Sequence, residues 1–270
     1  MKKTEMRNEN TINIDKVSTV QMLTMLNEEN KKVAYTIDSQ IENIAKAVDM
    51  IAFAFDNGGR LFYIGAGTSG RLGVLDAAEC PPTFGVSPEQ VVGIIAGGDK
   101  CLRSASENAE DNFDAGQKDL KDANFCEKDV VVAISASGNA AYCVGALKYA
   151  KEIGGKTVSL CCNYDGLIND VADVFIVTDT GAEAITGSTR MKAGTAHKLV
   201  LNMLSTGAMI KTGKVYENYM INVKPVNEKL RDRCIRIISD ISGESYEISE
   251  KALDMADGDI KTALEHLKDI

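Results

Sequence analysis

Residues 61–71 read LFYIGAGTSGR, and this stretch predicts a β-strand that ends in a glycine-rich turn at the start of a helix. The first four residues favour a strand, and a helical pattern follows at residues 71–78. Such a junction presents unpaired backbone N–H groups and the positive end of the helix dipole. Gly67 would let a ligand approach the backbone closely, and Thr68 and Ser69 would add two hydroxyl donors. We interpret the turn as a site for an anion or a sugar.

Two nucleotide-binding motifs resemble this turn, and neither fits it well. The closing Gly-Lys-Ser/Thr of a P-loop is missing. Gly65, Gly67 and Gly70 match the dinucleotide pattern G-x-G-x-x-G, which is weak evidence by itself. A dinucleotide site also needs an acidic residue at the end of the next strand, and the run at residues 91–95 does not end in one. We therefore expect no nucleotide cofactor.

Five short apolar runs predict the strands of a parallel sheet: residues 61–64, 91–95, 130–134, 157–161 and 174–177. Helical patterns separate them at residues 71–78, 102–120, 140–153 and 166–171. Near-continuous Val and Ile runs that alternate with helices are typical of an α/β sheet with both faces covered. In such sheets, the ligand site lies at the carboxyl ends of the strands.

A second turn repeats the construction of the first. The predicted strand at residues 130–134 runs into Ser135-Ala136-Ser137-Gly138-Asn139 and then into a helical pattern. Because both turns follow parallel strands, we expect them at the same edge of the sheet. Ser135, Ser137, Gly138 and Asn139 are therefore candidate ligand-binding residues, and the two turns together would hold a phosphate and a sugar.

The sequence predicts three regions. Residues 1–15 are polar and predict a flexible arm, residues 16–225 form the main domain, and residues 226–270 form a helical segment with turns at residues 242–243 and 257–258. In the main domain, Ser18 begins a helix and residues 33–55 predict a longer one. That long helix either packs on the sheet or forms a dimer seam.

Composition narrows the function classes. The net charge is −9 with 30 Lys and Arg and no basic run, which argues against nucleic-acid binding. No stretch approaches the ~20 apolar residues of a membrane span, and the polar N-terminus lacks a signal core, so we expect a cytoplasmic protein. The seven cysteines form no C-x-x-C pair, and the two histidines lie far apart. We expect no metal.

Several long motifs resemble the N-acetylmuramic acid 6-phosphate etherase family of the sugar isomerase (SIS) domain superfamily, which includes the glucokinase regulatory protein. The motifs lie at residues 65–86, 94–100, 106–111 and 181–215. The resemblance implies a five-stranded parallel sheet between helices, a small UBA-like C-terminal segment and a homodimer. It also implies cleavage of the lactyl ether of N-acetylmuramic acid 6-phosphate with water, in amino sugar recycling and without metal or nucleotide.

The implied chemistry needs two carboxyl groups of opposite protonation state. Matched to the family motifs, Glu79 is the acid at the lactate oxygen and Glu110 is the base at C2. From composition alone, each is more readily a solvated surface charge. Glu107 and Asp76 share their helical faces and rank below them, and Glu107 also fits a capping box with Ser104.

For five other candidate residues, the sequence allows both a functional and a structural interpretation. Ser188 either caps a helix or meets the ligand, as the resemblance implies. Arg71 either pairs with a substrate carboxylate or braces a helix, and His197 is either a ring-opening acid/base or a packed imidazole. Arg190 and Lys192 either neutralise phosphate or form structural or solvated pairs.

One position departs from the family pattern, and two rival functions stay open. SIS phosphate loops commonly end in Thr, where this chain has Ala140. A hydroxyl donor is therefore missing from the predicted phosphate loop. The rival functions are a catalytically silent phosphosugar sensor and a phosphosugar isomerase.

Overall fold

The computed structural model describes residues 2–104 and 107–268, and the chain folds into two compact units. The first unit comprises Met1–Ala78 and Glu89–Ala208, and the second comprises Glu79–Pro88 and Met209–Ile270. The division therefore falls earlier than the boundary expected at residue 225. The second unit also includes residues 79–88, which Asn222 holds by donating its Nδ2 hydrogen bond to the Phe84 carbonyl.

The elements of the first unit alternate between helices and strands as the apolar runs predict. In chain order they are α1 (Thr19–Lys31), α2 (Tyr35–Asp38), α3 (Ile41–Asp56), β1 (Leu61–Gly65), α4 (Gly67–Phe84, which continues into the second unit), β2 (Val91–Ile95), α5 (Lys100–Arg103), α6 (Phe113–Asp122), β3 (Val130–Ile134), α7 (Ala141–Glu152), β4 (Lys156–Cys161), α8 (Leu167–Val171), β5 (Val174–Val177) and α9 (Lys192–Lys211).

The five strands form one parallel sheet in the order β2-β1-β3-β4-β5. The chain steps from β1 outward to β2, returns to β3 on the other side of β1, and then continues through β4 to β5. The strand order therefore reverses between β1 and β3, where Gly65 pairs with Ile134. Open α/β sheets bind ligands at such a switch point.

The core of the first unit lies against the central strands. Phe62 and Val131 are fully buried in a cluster that includes Leu120 of α6 and Leu147 of α7. Burying aliphatic and aromatic side chains of this size stabilises a fold by about 1.5–3 kcal/mol each. Buried side chains within β1 and β3 thus hold in the core the two strands that lead into the candidate turns.

The N-terminal segment (residues 2–16) packs on the first unit and is not the free arm that its polarity predicts. It forms three short 3-10 helices, Lys3–Glu5, Glu9–Thr11 and Ile14–Lys16. Its attachment is polar: buried Thr11 Oγ1 donates to the Ala184 carbonyl at 2.8 Å. Polar side chains that bond to the main chain can hold a segment in place without an apolar stripe, which explains the difference.

Two predicted helices are divided in the structure. The pattern at residues 33–55 gives α2 and α3, with Ser39 and Gln40 between them. The pattern at residues 102–120 gives the end of α5, a 3-10 turn at Glu107–Ala109 and α6. The predicted capping box joins Ser104 to the Glu107 side chain, which lies outside the described part of the chain together with residues 105 and 106.

The second unit is a small helical assembly. Besides the segment at residues 79–88, it contains β6 (Val215–Tyr216), β7 (Tyr219–Met220), α10 (Glu228–Ser242), α11 (Tyr246–Met255) and α12 (Ile260–Lys268). Its own core includes Cys234, Ile238 and Leu253. Within the described part of the chain, no helix has the length and apolarity to span a membrane.

Candidate active site

A cleft of about 310 Å³ opens in the first unit where β1 and β3 end. The two polar turns of the sequence therefore meet, as expected from the parallel sheet. The residues that line the cleft are Glu5, Ala66, Gly67, Thr68, Ser69, Glu110, Ile134, Ser135, Ala136, Ser137, Ala140, Gly187, Thr189, Gly194 and His197.

The G-x-G-x-x-G spacing shapes the first turn. Gly67 has a φ of +54°, in the left-handed region that favours glycine. A Cβ on Gly70 would lie 2.4 Å from the Gly65 carbonyl oxygen, so α4 reaches β1 only without a side chain there. Thr68 and Ser69 thus stand in the first turn of α4, where backbone N–H groups have no partner within the helix.

The second turn holds its serines by its own backbone. The Oγ atoms of Ser135 and Ser137 lie 3.3 Å apart. Gly138 N–H donates to Ser135 Oγ at 3.1 Å, and Asn139 N–H donates to Ser137 Oγ at 3.1 Å. Neither Gly138 nor Asn139 is among the residues that line the cleft.

A second helix N-terminus also faces the cleft. Ala140 is the N-cap residue of α7 and makes no side-chain capping hydrogen bond. The missing hydroxyl noted in the sequence therefore leaves the first N–H groups of α7 without a side-chain cap. Those groups and the positive end of the helix dipole favour an anion.

Glu110 brings a carboxylate to the cleft. Its side chain is exposed, and its carbonyl accepts a hydrogen bond from Tyr142 N–H at 3.0 Å, which fixes its backbone against α7. Glu5, from the N-terminal segment, also brings a carboxylate to the lining, and within residues 2–104 and 107–268 no lysine or arginine lines the cleft.

His197 is both packed and adjacent to the cleft. It is 1% exposed, and burial lowers its pKa to about 4, so the imidazole is neutral near pH 7. Its Nε2 lies 3.4 Å from Cys162 Sγ. Burial raises the pKa of the Cys162 thiol to about 12, so this pair carries no charge. A neutral imidazole at the cleft can still donate or accept one hydrogen bond.

Two predicted site residues lie apart from this lining. Glu79 is exposed and belongs to the second unit. Ser188 is half-buried, and its neighbours Gly187 and Thr189 line the cleft. The ligand roles of Glu79 and Ser188 remain predictions.

Two of the basic residues near the motifs, Arg71 and Lys192, have structural partners. Arg71 donates to the carbonyls of Cys101 at 2.6 Å and Leu102 at 2.9 Å, so it braces the end of α5. Lys192 is buried and pairs with Glu29 at 2.6 Å. Asp76, the alternative to Glu79, accepts from Asn202 Nδ2 at 2.7 Å.

Buried carboxylates position the start of α9. Glu183 is fully buried and accepts from the N–H groups of Lys192 and Ala193, each at 2.9 Å. Burial alone would raise the pKa of Glu29, but hydrogen bonds from Lys192, Lys32 and Asn8 lower it to about 2. These contacts fix the helix that carries Gly194 and His197.

Sequence reasoning missed Glu5, because it lies in a segment without apolar periodicity. It also missed Thr189 and Gly194, although both lie within the motif at residues 181–215. Among residues 2–104 and 107–268, no group of three His, Cys, Asp or Glu side chains has the arrangement of a metal site.

The fold and the serine-lined cleft are those of a SIS-domain protein. The model of the glucokinase regulatory protein N-terminal SIS domain matches residues 43–151, and the SIS domain model matches residues 101–207. A phosphoheptose isomerase from Francisella tularensis superposes with a TM-score of 0.55 at 17% identity, covering 72% of this chain and 100% of that chain. A protein of E. coli CFT073 has a TM-score of 0.53 at 18% identity, covering 72% and 93%. These likenesses show the fold.

Curated relatives with high sequence identity show which family of SIS-domain proteins this chain belongs to. The N-acetylmuramic acid 6-phosphate etherase of Clostridium botulinum (strain Okra) is 55% identical over 97% of this chain and 86% of its own length. The etherase of Caldanaerobacter subterraneus subsp. tengcongensis is 52% identical over 97% and 85%. Etherase 1 of Bacillus licheniformis is 52% identical over 98% and 87%. This chain belongs to the N-acetylmuramic acid 6-phosphate etherase family.

Proposed function

We propose that this enzyme cleaves the D-lactyl ether of N-acetylmuramic acid 6-phosphate, giving N-acetylglucosamine 6-phosphate and D-lactate. The observation that supports the proposal most is that relatives of this name match 97% of the chain at 52–55% identity. The cleft supplies the matching chemistry, because its hydroxyls and helix N-termini lie beside the exposed carboxylate of Glu110. The reaction serves amino sugar recycling.

The phosphate binds where the two helix N-termini converge. Thr68, Ser69, Ser135 and Ser137 supply hydroxyl donors, and the first N–H groups of α4 and α7 supply the dipole ends. The described residues that line the cleft include no lysine or arginine, so in this proposal the binding energy comes from hydrogen bonds to a charged group, each contributing about 1.5–3 kcal/mol. Ser188 extends this set from its position between Gly187 and Thr189.

The ether bond breaks by elimination. Opening the sugar ring gives a C1 aldehyde, which acidifies the hydrogen on C2. Glu110, as carboxylate, removes that proton while the C3–O bond breaks and Glu79, as carboxylic acid, protonates the departing lactate oxygen. Water then adds across the C2–C3 double bond, with the oxygen at C3 and a proton at C2. Each positioned group contributes about 10²–10⁴-fold.

An assay for D-lactate tests the proposal. The purified full chain is incubated with N-acetylmuramic acid 6-phosphate, and lactate release is followed with wild type, Glu110→Gln, Glu79→Gln and Asp111→Asn. We expect lactate from wild type and from Asp111→Asn, which alters the exposed carboxylate next to Glu110. Either glutamine variant should lose at least about 100-fold in kcat while still binding substrate.

Each rival function gives a different result in this assay. Tight binding without lactate identifies a phosphosugar sensor, and interconversion of phosphosugars without lactate identifies an isomerase. Near-normal turnover in one glutamine variant removes that glutamate from the mechanism and leaves the substrate assignment standing.

The family also implies a cytoplasmic homodimer, which is part of this proposal. Phe53 of α3 is 71% exposed and Tyr35 of α2 is 75% exposed, so these helices offer apolar surface to a second copy. Sedimentation equilibrium of the full chain measures its mass directly. A mass of twice the 29.0 kDa chain is expected, and a monomer would contradict this part of the proposal.

A further inference from the structure

The N-terminal segment is attached to the first unit on both sides of Glu5. Just before it, the fully buried Thr4 accepts a hydrogen bond from Asn163 Nδ2 at 3.3 Å. Just after it, Asn8 Nδ2 donates to the buried Glu29 Oε2 at 2.9 Å. Two buried anchors therefore fix the short 3-10 turn that carries Glu5.

The same segment contacts the second polar turn. Lys2 Nζ donates to Asn139 Oδ1 at 3.1 Å, and Asn139 Oδ1 also accepts from Leu167 N–H at 3.2 Å. The N-terminal segment thus adjoins the serine turn as well as the cleft. Its position relative to the candidate phosphate site is set by these contacts.

Glu5 presents its carboxylate to the cleft. A Cβ on Gly187 would lie 3.4 Å from Glu5 Oε2, so the carboxylate lies against residue 187, which carries no side chain. The side chain is exposed and forms no ion pair among the residues that the structure describes. It lines the same cleft as Glu110, Ser135 and Ser137.

The charge of Glu5 decides which part of a ligand it meets. A carboxylate only accepts hydrogen bonds, so it repels a phosphate or a lactyl carboxylate and attracts an O–H or N–H group. A phosphorylated amino sugar has both kinds of group: its anionic ends suit the serine turn and the helix N-termini, and its hydroxyl and amide N–H donors suit Glu5. Glu110 is occupied with the proton on C2 in the proposed function.

We propose that Glu5 accepts a hydrogen bond from a hydroxyl or amide N–H of the bound sugar and thereby determines the orientation of the sugar in the cleft. Glu5 is thus a specificity residue supplied by the N-terminal segment. This inference rests on the proposed function, since it assumes a phosphosugar in the cleft, but it concerns binding and not the ether chemistry.

Titration calorimetry on the full chain tests the proposal, with N-acetylglucosamine 6-phosphate and inorganic phosphate as probes. The variants are Glu5→Ala, Glu5→Gln and the control Glu9→Ala, which removes an exposed glutamate from the same segment outside the cleft lining. We expect Glu5→Ala to weaken the sugar phosphate about tenfold or more and inorganic phosphate less than about twofold. Glu5→Gln, which keeps one acceptor, should recover part of the loss, and Glu9→Ala should match wild type.

The outcomes separate this inference from the proposed function. If wild type binds the sugar phosphate but releases no D-lactate, the proposed function fails and the Glu5 comparison still decides the inference. Equal affinities in wild type and Glu5→Ala overturn the inference. Equal weakening of both probes also overturns it, because Glu5 would then act on the whole site, and so does a wild type that binds no sugar phosphate. Melting temperatures of all variants should agree, since Glu5 is exposed.

Discussion

At the scale of single residues, Ser137 is the sharpest test of where phosphate binds. Its Oγ accepts from Asn139 N–H and lies next to Ser135 Oγ, at the end of β3. We predict that Ser137→Ala raises the KM for N-acetylmuramic acid 6-phosphate about 10–100-fold with little change in kcat, because one hydrogen bond to a charged group is lost equally in ground and transition states. Steady-state kinetics measure both constants.

The control for Ser137 is a serine outside the cleft. Ser239 of α10 is half-buried, and its side chain donates to the Glu244 carbonyl in the second unit. Ser239→Ala should leave KM unchanged. An unchanged KM in Ser137→Ala would mean that the phosphate lies elsewhere, and a fall in kcat alone would place Ser137 in the chemical step.

At the scale of elements, the packing of α4 on β1 depends on Gly70. A Cβ there would lie 2.4 Å from the Gly65 carbonyl oxygen and 2.7 Å from Ile95 Cγ1. We predict that Gly70→Ala lowers the free energy of unfolding by about 1–3 kcal/mol, since overpacking displaces backbone. Urea denaturation followed by circular dichroism measures the change.

The control for Gly70→Ala is the same substitution at Gly194 of α9. A Cβ there would meet Thr189 O and Thr68 Cγ2 at 3.5 Å, which is ordinary contact. Gly194→Ala should therefore be neutral or stabilise by up to about 1 kcal/mol through helix propensity. If both variants lost the same stability, the close approach of α4 to β1 would not be the cause.

The strands were the elements most readily predicted. Residues 91–95, 130–134 and 174–177 begin and end as their Val and Ile runs predict, because buried parallel strands need apolar side chains on both faces. The break in the pattern at residues 33–55 was not predictable, since the apolar spacing continues through Ser39 and Gln40. Gln40 instead turns its side chain to the sheet, where Oε1 accepts from Val177 N–H at 3.0 Å.

The candidate site was predictable where hydroxyls follow strands. Thr68, Ser69, Ser135 and Ser137 all line the cleft, because the ends of adjacent parallel strands must meet. Glu5 was not predictable, because a polar segment held by side-chain hydrogen bonds has no periodicity to detect. Such attachment depends on where distant carbonyls and amides lie in three dimensions.

At the scale of the whole molecule, Glu29 links the N-terminal segment to α9. Its folded pKa of about 2 lies below the ordinary value of 4.5. The stabilisation is therefore fully present above pH 4.5 and is lost as the pH falls towards 2. We predict that Glu29→Gln costs on the order of 3 kcal/mol at pH 7 and progressively less below pH 4.5. Urea denaturation across this pH range measures the difference.

Glu28 provides the comparison for Glu29. It pairs with Lys31 at 2.6 Å on the same helix, but both side chains are more than half exposed. Glu28→Gln should cost at most about 1 kcal/mol at any pH. Equal costs for the two variants, or a cost for Glu29→Gln that does not change with pH, would contradict the proposed role of the buried pair.

The division of the second unit between two stretches of sequence has a consequence for biosynthesis. Residues 79–88 leave the ribosome before the stretch that begins at Met209, and the 121 positions from residue 88 to residue 209 take roughly 6–24 s to translate. During that interval, Asn222, the hydrogen-bond partner of the Phe84 carbonyl, has not yet been made. The Phe84 carbonyl therefore gains its hydrogen bond from Asn222 only when the last quarter of the chain is being made, so a nascent chain stalled before Met209 lacks it.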